Sequence, residues 1–319
     1  MRPGDPYDRA GIMSGTLLLI QFLNGLQLGV LLFLLAAGLT LVFGIMDLVN
    51  LAHGSLYMLG AFLAATFAGL TESFVVGVLL ALPAMALLGL VLELSVVRAL
   101  YQRDHLDHVL ATFGLILVID TLAHLIWGPE GVSIPLPVWL RGQVEILPNI
   151  IFPSYRLVII VTGLAVAGAL YWLVNHTRLG MLIRAGASNR TMVSALGVDI
   201  GTMFTAVFAI GAVLAGLAGM LIAPITGASI GMGNDIIITA FVVIIVGGIG
   251  SMKGAFVAAL VIGLIDTLGR SFLVDLFKLV MPVNTAATAA PAVSAMLIYL
   301  LMAAILAVRP QGLFPPTVR

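Results

Sequence analysis

YRLVIIVTGLAVAGALYWLVNHTRLGMLIRAGASNRTMVSALGVDIGTMFTAVFAIGAVLAGLAGMLI, residues 155–222, holds two apolar runs on either side of a basic island. Each run is close to the ~20 residues that carry an α-helix across a bilayer. Between them Arg178, Arg184 and Arg190 sit in the amphipathic segment 177–197. A chain that only had to turn around at a membrane surface has no use for so long a segment. Built this way, it offers a soluble partner something to grip.

Working outward, the 319 residues are 61% hydrophobic and only 9% charged, whereas soluble domains carry about 25% charged residues. Apolar segments fall at 16–43, 51–69, 74–97, 109–127, 155–175, 201–222, 236–250, 255–273 and 289–308. They are continuous rather than alternating, which excludes a β-barrel. The expected fold is an all-α polytopic membrane protein of about eight spans, within a range of roughly 7–10. Short and Gly-interrupted segments, such as the seventh with its Gly247-Gly248-Ile249-Gly250 ending, predict broken or re-entrant helices.

The Lys/Arg bias sets orientation. Spans 109–127 and 155–175 put the loop with Arg98 and Arg103 on the same side as the island, the cytoplasm. The tail 309–319 and Lys253 follow. Segment 128–154 then faces outside; its five prolines predict an extended, lid-like loop. Residues 1–15 form a polar N-terminal segment that does not read as a cleaved signal, and Met13 is an alternative start. The membrane-embedded body is thus 16–308.

Zero net charge suggests no nucleic-acid partner, and the absence of cysteine excludes disulfides and thiolate metal sites. Small residues at four-residue spacing (Gly25 and Gly29, Ala212 and Gly216, Ala215 and Gly219) predict close helix approach. Gly54-Ser55 before Gly60-Ala61-Phe62 is weakly echoed by Gly250-Ser251 before Gly254-Ala255-Phe256.

Ionisable groups inside hydrocarbon need partners. Asp47, Asn50 and His53 cluster in GIMDLVNLAHGSLYMLG. They read either as a helix break facing a translocation path, together with Gly247, Gly248 and Gly250, or as a cap on the following helix. Asp120 and His124 share a helix face, as an interhelical bond or as the proton relay of a secondary transporter. Asp266 with Arg270, and Glu93 with Arg98, read as structural pairs. Asp104, His105, Asp107 and His108 read as a solvated loop rather than a metal site. The two glycosylation patterns, at Asn175 and Asn189, fall on the cytoplasmic side.

There is no GxxxxGK[ST]; in GGIGSMKG, 247–254, the lysine precedes a glycine. The chain has no ATP site of P-loop type, no GxSxG, and no catalytic set, so it is read as a non-enzyme without cofactor or metal. Within the island, Ser188 is the expected N-cap, 189–196 a two-turn helix and Gly197 its C′ stop. That helix offers Met192 and Leu196, with Arg190 at its base. It is unstable alone, so it either inserts into a partner's groove or lies on lipid.

Four stretches carry a resemblance: NGLQLGVLLFLLAAGLTLVFGIMDLVNLAHGSLYMLGAF (24–62), TRLGMLIRAGASNRTMVSALGVDIGTMFTAVFAIGAVLAGLAGML (177–221), VVIIVGGIGSMKGAFVAALVIGL (242–264) and RPQGLF (309–314). The chain resembles the LivH-type permease subunits of branched-chain amino acid ABC importers. That resemblance implies a bacterial inner-membrane subunit working with two cytoplasmic ABC ATPases, a second, LivM-like permease and a soluble solute-binding protein. It implies ATPase coupling through 177–197, where Arg184, Ala185, Asn189, Ala195 and Gly197 match the family's loop pattern. Departures are Gly186-Ala187-Ser188, where relatives often carry a bulkier or acidic residue, and Ser55 in place of a common Glu.

Overall fold

The computed structural model describes residues 6–148 and 150–314. The ends of the polar N-terminal segment and of the tail, residues 1–5 and 315–319, lie outside the described residues. The helices are α1 (Pro6–Met46), α2 (His53–Thr71), α3 (Phe74–Ser95), α4 (His105–Trp127), α5 (Ser154–His176), α6 (Arg178–Ser188), α7 (Arg190–Ala195), α8 (Ile200–Thr226), α9 (Met232–Gly247), α10 (Met252–Lys278) and α11 (Val283–Val308). Eight are long and apolar enough to cross a membrane, and α9, at 16 residues, is a shorter apolar helix. Most helices overrun their apolar segments at one end or both. The first of them runs on to Met46 rather than stopping at residue 43.

Burial separates the bundle into a centre and a ring. The most apolar windows of α1, α2 and α8 are 83%, 67% and 72% buried, against 11% for α11. Small residues make the centre possible. Gly25 and Gly29 bring α1 onto α10, where an added Cβ would sit 2.9 Å from the Leu264 Cα and 2.8 Å from the Leu260 Cα. On α8, Gly216 accepts Met85 of α3 and Gly219 meets the Tyr57 carbonyl of α2. α1 rests on α10, α8, α5 and α9, and α8 rests on α2, α1 and α3.

Segment 128–154 is more regular than its prolines suggest. β1 (Gln143–Leu147) and β2 (Ile150–Pro153) form an antiparallel hairpin with Gln143 opposite Pro153 and Val144 opposite Phe152. Phe152 is fully buried. Val132 and Ala228 exchange both backbone hydrogen bonds at 2.8 Å, which ties this segment to the α8–α9 connection.

The tail has a defined task. Leu313 N–H donates to the Val246 carbonyl at 2.9 Å and Phe314 N–H to the Gly247 carbonyl at 3.0 Å. These are last-turn carbonyls of α9 that have no helical partner of their own. Gly312, at φ +82°, packs 2.6 Å (as an added Cβ) from the Gly248 Cα. Truncation after Arg309 should therefore expose both carbonyls and lower stability by about 2 kcal/mol, one net hydrogen bond each. Thermal unfolding in detergent measures this.

Candidate functional site

Two regions carry the polar residues, the break between α1 and α2 and the segment α6–α7. At the break, Asp47 N–H closes the last turn of α1 on the Phe43 carbonyl at 2.9 Å, and Asp47 itself adopts φ +54°. Residues 47–52 are non-helical. Apart from Asp47, which is exposed, they lie buried or half-buried, as irregular backbone at membrane depth must; Asn50, and His53 that follows the break, are each 1% exposed. Leu51 N–H donates to the Thr112 hydroxyl of α4 at 3.3 Å.

His53 Nε2 lies 3.1 Å from the Leu35 carbonyl, 11 residues before the end of α1, which is about 16 Å of helix. α2 therefore begins well inside the bundle rather than at its surface. The N-cap of α2 is Ala52, with no side-chain cap bond, so neither Asp47 nor Asn50 caps it. The first turn of α2 meets the first turn of α9 backbone to backbone: Gly54 and Gly233 each face the other's carbonyl.

Several buried polar atoms here have no partner among the described residues: Gln27 Oε1, Thr40 Oγ1, Asn50 Oδ1, His53 Nδ1 and Ser55 Oγ. All five belong to α1, α2 or their connection. Sequence reading found Asn50 and His53. Ser55 stood out only as a replacement for the family's common Glu, and Gln27 and Thr40 escaped it because a single polar residue in a helical run is silent until its partners are known.

Gly247, Gly248 and Gly250 lie at the other end of α9. Gly248 has φ +103° and Gly250 φ +80°, and Gly250 touches Gly44 near the end of α1. The three glycines thus form a tight turn under the tail, on the same side as Asp47.

In the island, Thr177 caps α6 by accepting from Gly180 N–H at 3.1 Å. The cap of α7 is Asn189, whose Oδ1 accepts from Met192 N–H at 2.9 Å. Ser188 is instead the last residue of α6, because the extended backbone required of a cap falls at Asn189 (φ −155°). Gly197, at φ +86°, ends α7 in a Schellman motif: its N–H donates to Ser194 O and Val198 N–H to Val193 O. α7 has two faces. Val193 is buried, while Met192 and Leu196 are 60% and 78% exposed. Arg190 points the other way, to the Met46 carbonyl at 3.2 Å and to Asp47 at 3.8 Å. Arg184 turns back to the Val174 carbonyl of α5 and fixes the α5–α6 corner.

The remaining polar groups are structural. Glu93, fully buried, accepts from Arg98 at 3.3 Å, from Thr205 of α8 at 2.7 Å and from Tyr101. Burial, then the bond to Glu93, pushes the Tyr101 phenol above its ordinary range, so it stays a donor. Asp199 caps α8, and the Thr202 hydroxyl holds its carboxyl below the usual range. Asp266 pairs with Arg270 at 2.9 Å. Asp120 accepts from Asn234 of α9 at 3.1 Å, an interhelical bond, and His124 is exposed. His105 and His108 lie in the first turns of α4 rather than in a loop, with His108 buried and 2.9 Å from the Leu100 carbonyl.

The family of branched-chain amino acid transport system permease components matches residues 21–306. This chain belongs to that family. As a permease component it is similar to the high-affinity branched-chain amino acid transport system permease protein LivH of Salmonella typhimurium. The two are 28% identical over 277 residues, covering 81% of this chain and 88% of LivH. It is similar to BraD of Pseudomonas aeruginosa, a protein of the same description, at 30% identity over 273 residues, with 81% and 88% covered. The ribose import permease protein RbsC of Escherichia coli is 24% identical over 260 residues, with 73% and 72% covered. No solved structure matches. The permease is a multi-pass membrane protein.

Proposed function

We propose that this chain is the transmembrane subunit of an ATP-driven, binding-protein-dependent importer in the bacterial inner membrane. Its solute is a branched-chain amino acid or a related small polar molecule. Its partners are two cytoplasmic ABC ATPases, a second, LivM-like permease and a solute-binding protein outside. The observation that carries the reading is α7, a short helix fixed at both ends by capping motifs that nevertheless presents Met192 and Leu196 to solvent. Such a helix costs stability unless an external groove receives those side chains. Asn189, Arg190, Met192, Leu196 and Gly197 form this coupling element, and Arg184 holds its base. The break at Asn50 and His53, where α2 and α9 meet by their N-termini, is the moving part of the translocation path. The positive ends of two helices there suit the carboxylate of an amino acid. The Gly247–Gly250 turn is the pivot of α9. Transport proceeds by alternating access: closure of the ATPases moves α7 and rocks the helices around the break.

Two measurements test this. Co-expression with an ATPase, a second permease and a binding protein should give a complex that co-purifies and takes up amino acid only with ATP. Gly197→Val should then lower uptake about tenfold, because valine strains a left-handed residue. An added Cβ there meets nothing within 4 Å, so the strain falls on the backbone that ends α7 and not on packing against neighbouring helices. Arg184→Ala should act in the same direction. A chain that moves solute alone, driven by a pH gradient, would overturn the proposal in favour of a proton-coupled carrier using Asp120 and His124.

A further inference from the structure

We infer that the Asp47–Arg190 contact is the link by which movement of α7 reaches the helix break, which makes Asp47 a positioning residue. The inference rests on the importer reading. Asp47 is exposed, at the end of α1 rather than beside the buried Asn50 and His53. Its backbone is left-handed, at φ +54°, a conformation that glycine would adopt without strain. A carboxylate stands there instead, and it faces a charge on the coupling element: Arg190 Nη2 lies 3.8 Å from Asp47 Oδ2. The same guanidinium donates to the neighbouring Met46 carbonyl at 3.2 Å. His105, the first residue of α4, completes the cluster at 4.0 Å from Asp47. One arginine on α7 therefore holds both the last carbonyl of α1 and the first residue beyond it.

From Asp47 the chain runs non-helically through 47–52 into His53. Only its ends join the helical ladders, Asp47 N–H on the Phe43 carbonyl of α1 and the Ala52 carbonyl under Leu56 N–H of α2. Its middle is tied to α4 through Leu51 and Thr112, and its far end enters the first turn of α2 beside Gly233 of α9. Displacing α7 pulls on Arg190, Arg190 on Asp47, and the connector on the junction of α2 and α9. A short connector held at Asp47, Leu51 and Ala52 transmits such a pull, whereas a long unanchored loop would absorb it.

The test uses the full complex in proteoliposomes, with its ATPases, second permease and binding protein. Asp47→Gly separates a structural from a coupling role, since glycine relaxes the left-handed backbone while deleting the carboxylate. Its melting temperature should be at or above the parent's, while solute moved per ATP falls about tenfold. Asp47→Arg and Arg190→Asp should each show the same loss, and the two combined should recover to within about threefold of the parent. Unchanged solute per ATP in Asp47→Gly would overturn the link. So would a charge-swapped pair that assembles but transports no better than either single variant. A parent complex that captures no ATPase overturns the importer reading itself, before any variant is compared.

Discussion

Gly54→Val should leave little folded protein. A Cβ at Gly54 would land on the Gly233 carbonyl, 2.9 Å from its carbon and 3.0 Å from the Ile237 Cβ. The obstacle is backbone, which cannot swing away as the end of a side chain can. Nor can α2 retreat. Behind it Gly60 is pressed on the Gly216 backbone, and the Tyr57 carbonyl rests on Gly219. α2 is wedged between α8 and α9 by glycine contacts on both sides, so relief on one tightens the other. Overpacking costs typically 1–3 kcal/mol where neighbours can give. With no direction of relief, the cost should exceed about 3 kcal/mol, a large part of the 5–15 kcal/mol that holds a domain folded. Gly168 on α5 is the control, since an added Cβ there meets nothing within 4 Å. Gly168→Ala should be neutral or stabilising by about 0.5–1 kcal/mol, as expected of glycine in a helix interior. Thermal unfolding in detergent reads both, and a Gly54→Val protein melting within a degree or two of the parent would refute the wedge.

That wedge shows where sequence reading stops. The spans were legible because a bilayer demands length, and the break was legible because Asp47, Asn50 and His53 interrupt an apolar run. The small-residue pairs announced close packing but not its partners; the contact of Gly54 with Gly233 joins residues far apart in the chain. The hairpin at 143–153 left a usable signal, the alternation of Gln143, Val144, Glu145 and Ile146, which the surrounding prolines obscured. In segment 177–197 the helix and its Gly197 stop were readable from capping chemistry. Ser188 and Asn189 are both good caps, and only the backbone angle chose between them. RPQGLF marked the family, but its role as a clamp on α9 depends on hydrogen bonds from main-chain N–H groups, which carry no residue signature.

The double variant Thr40→Val with Ser55→Ala should be at least as stable as the parent and a poorer transporter. Both hydroxyls are buried, at 2% and 1% exposure, and neither has a partner. Leaving a polar group buried and unbonded costs about 1–3 kcal/mol, while replacing it with an apolar group of similar shape removes that cost. Valine matches threonine in shape, and alanine is serine without its oxygen. If the two residues served only packing, the change would be an improvement without loss. Five unpartnered atoms along one helix pair and its connection point the other way. On the importer reading the structure is the closed arrangement, in which they wait for what an open one supplies, water or the polar ends of a solute passing the break. The parent then carries a cost in its resting state that is relieved during transport, and deleting the hydroxyls shifts the balance toward closure. Relief of about 2 kcal/mol in the closed state would slow turnover by roughly tenfold or more. The decisive comparison is melting temperature beside uptake rate in the same complex. A rise in the first with a fall in the second supports the polar path, and a variant that transports at the parent's rate removes Thr40 and Ser55 from it.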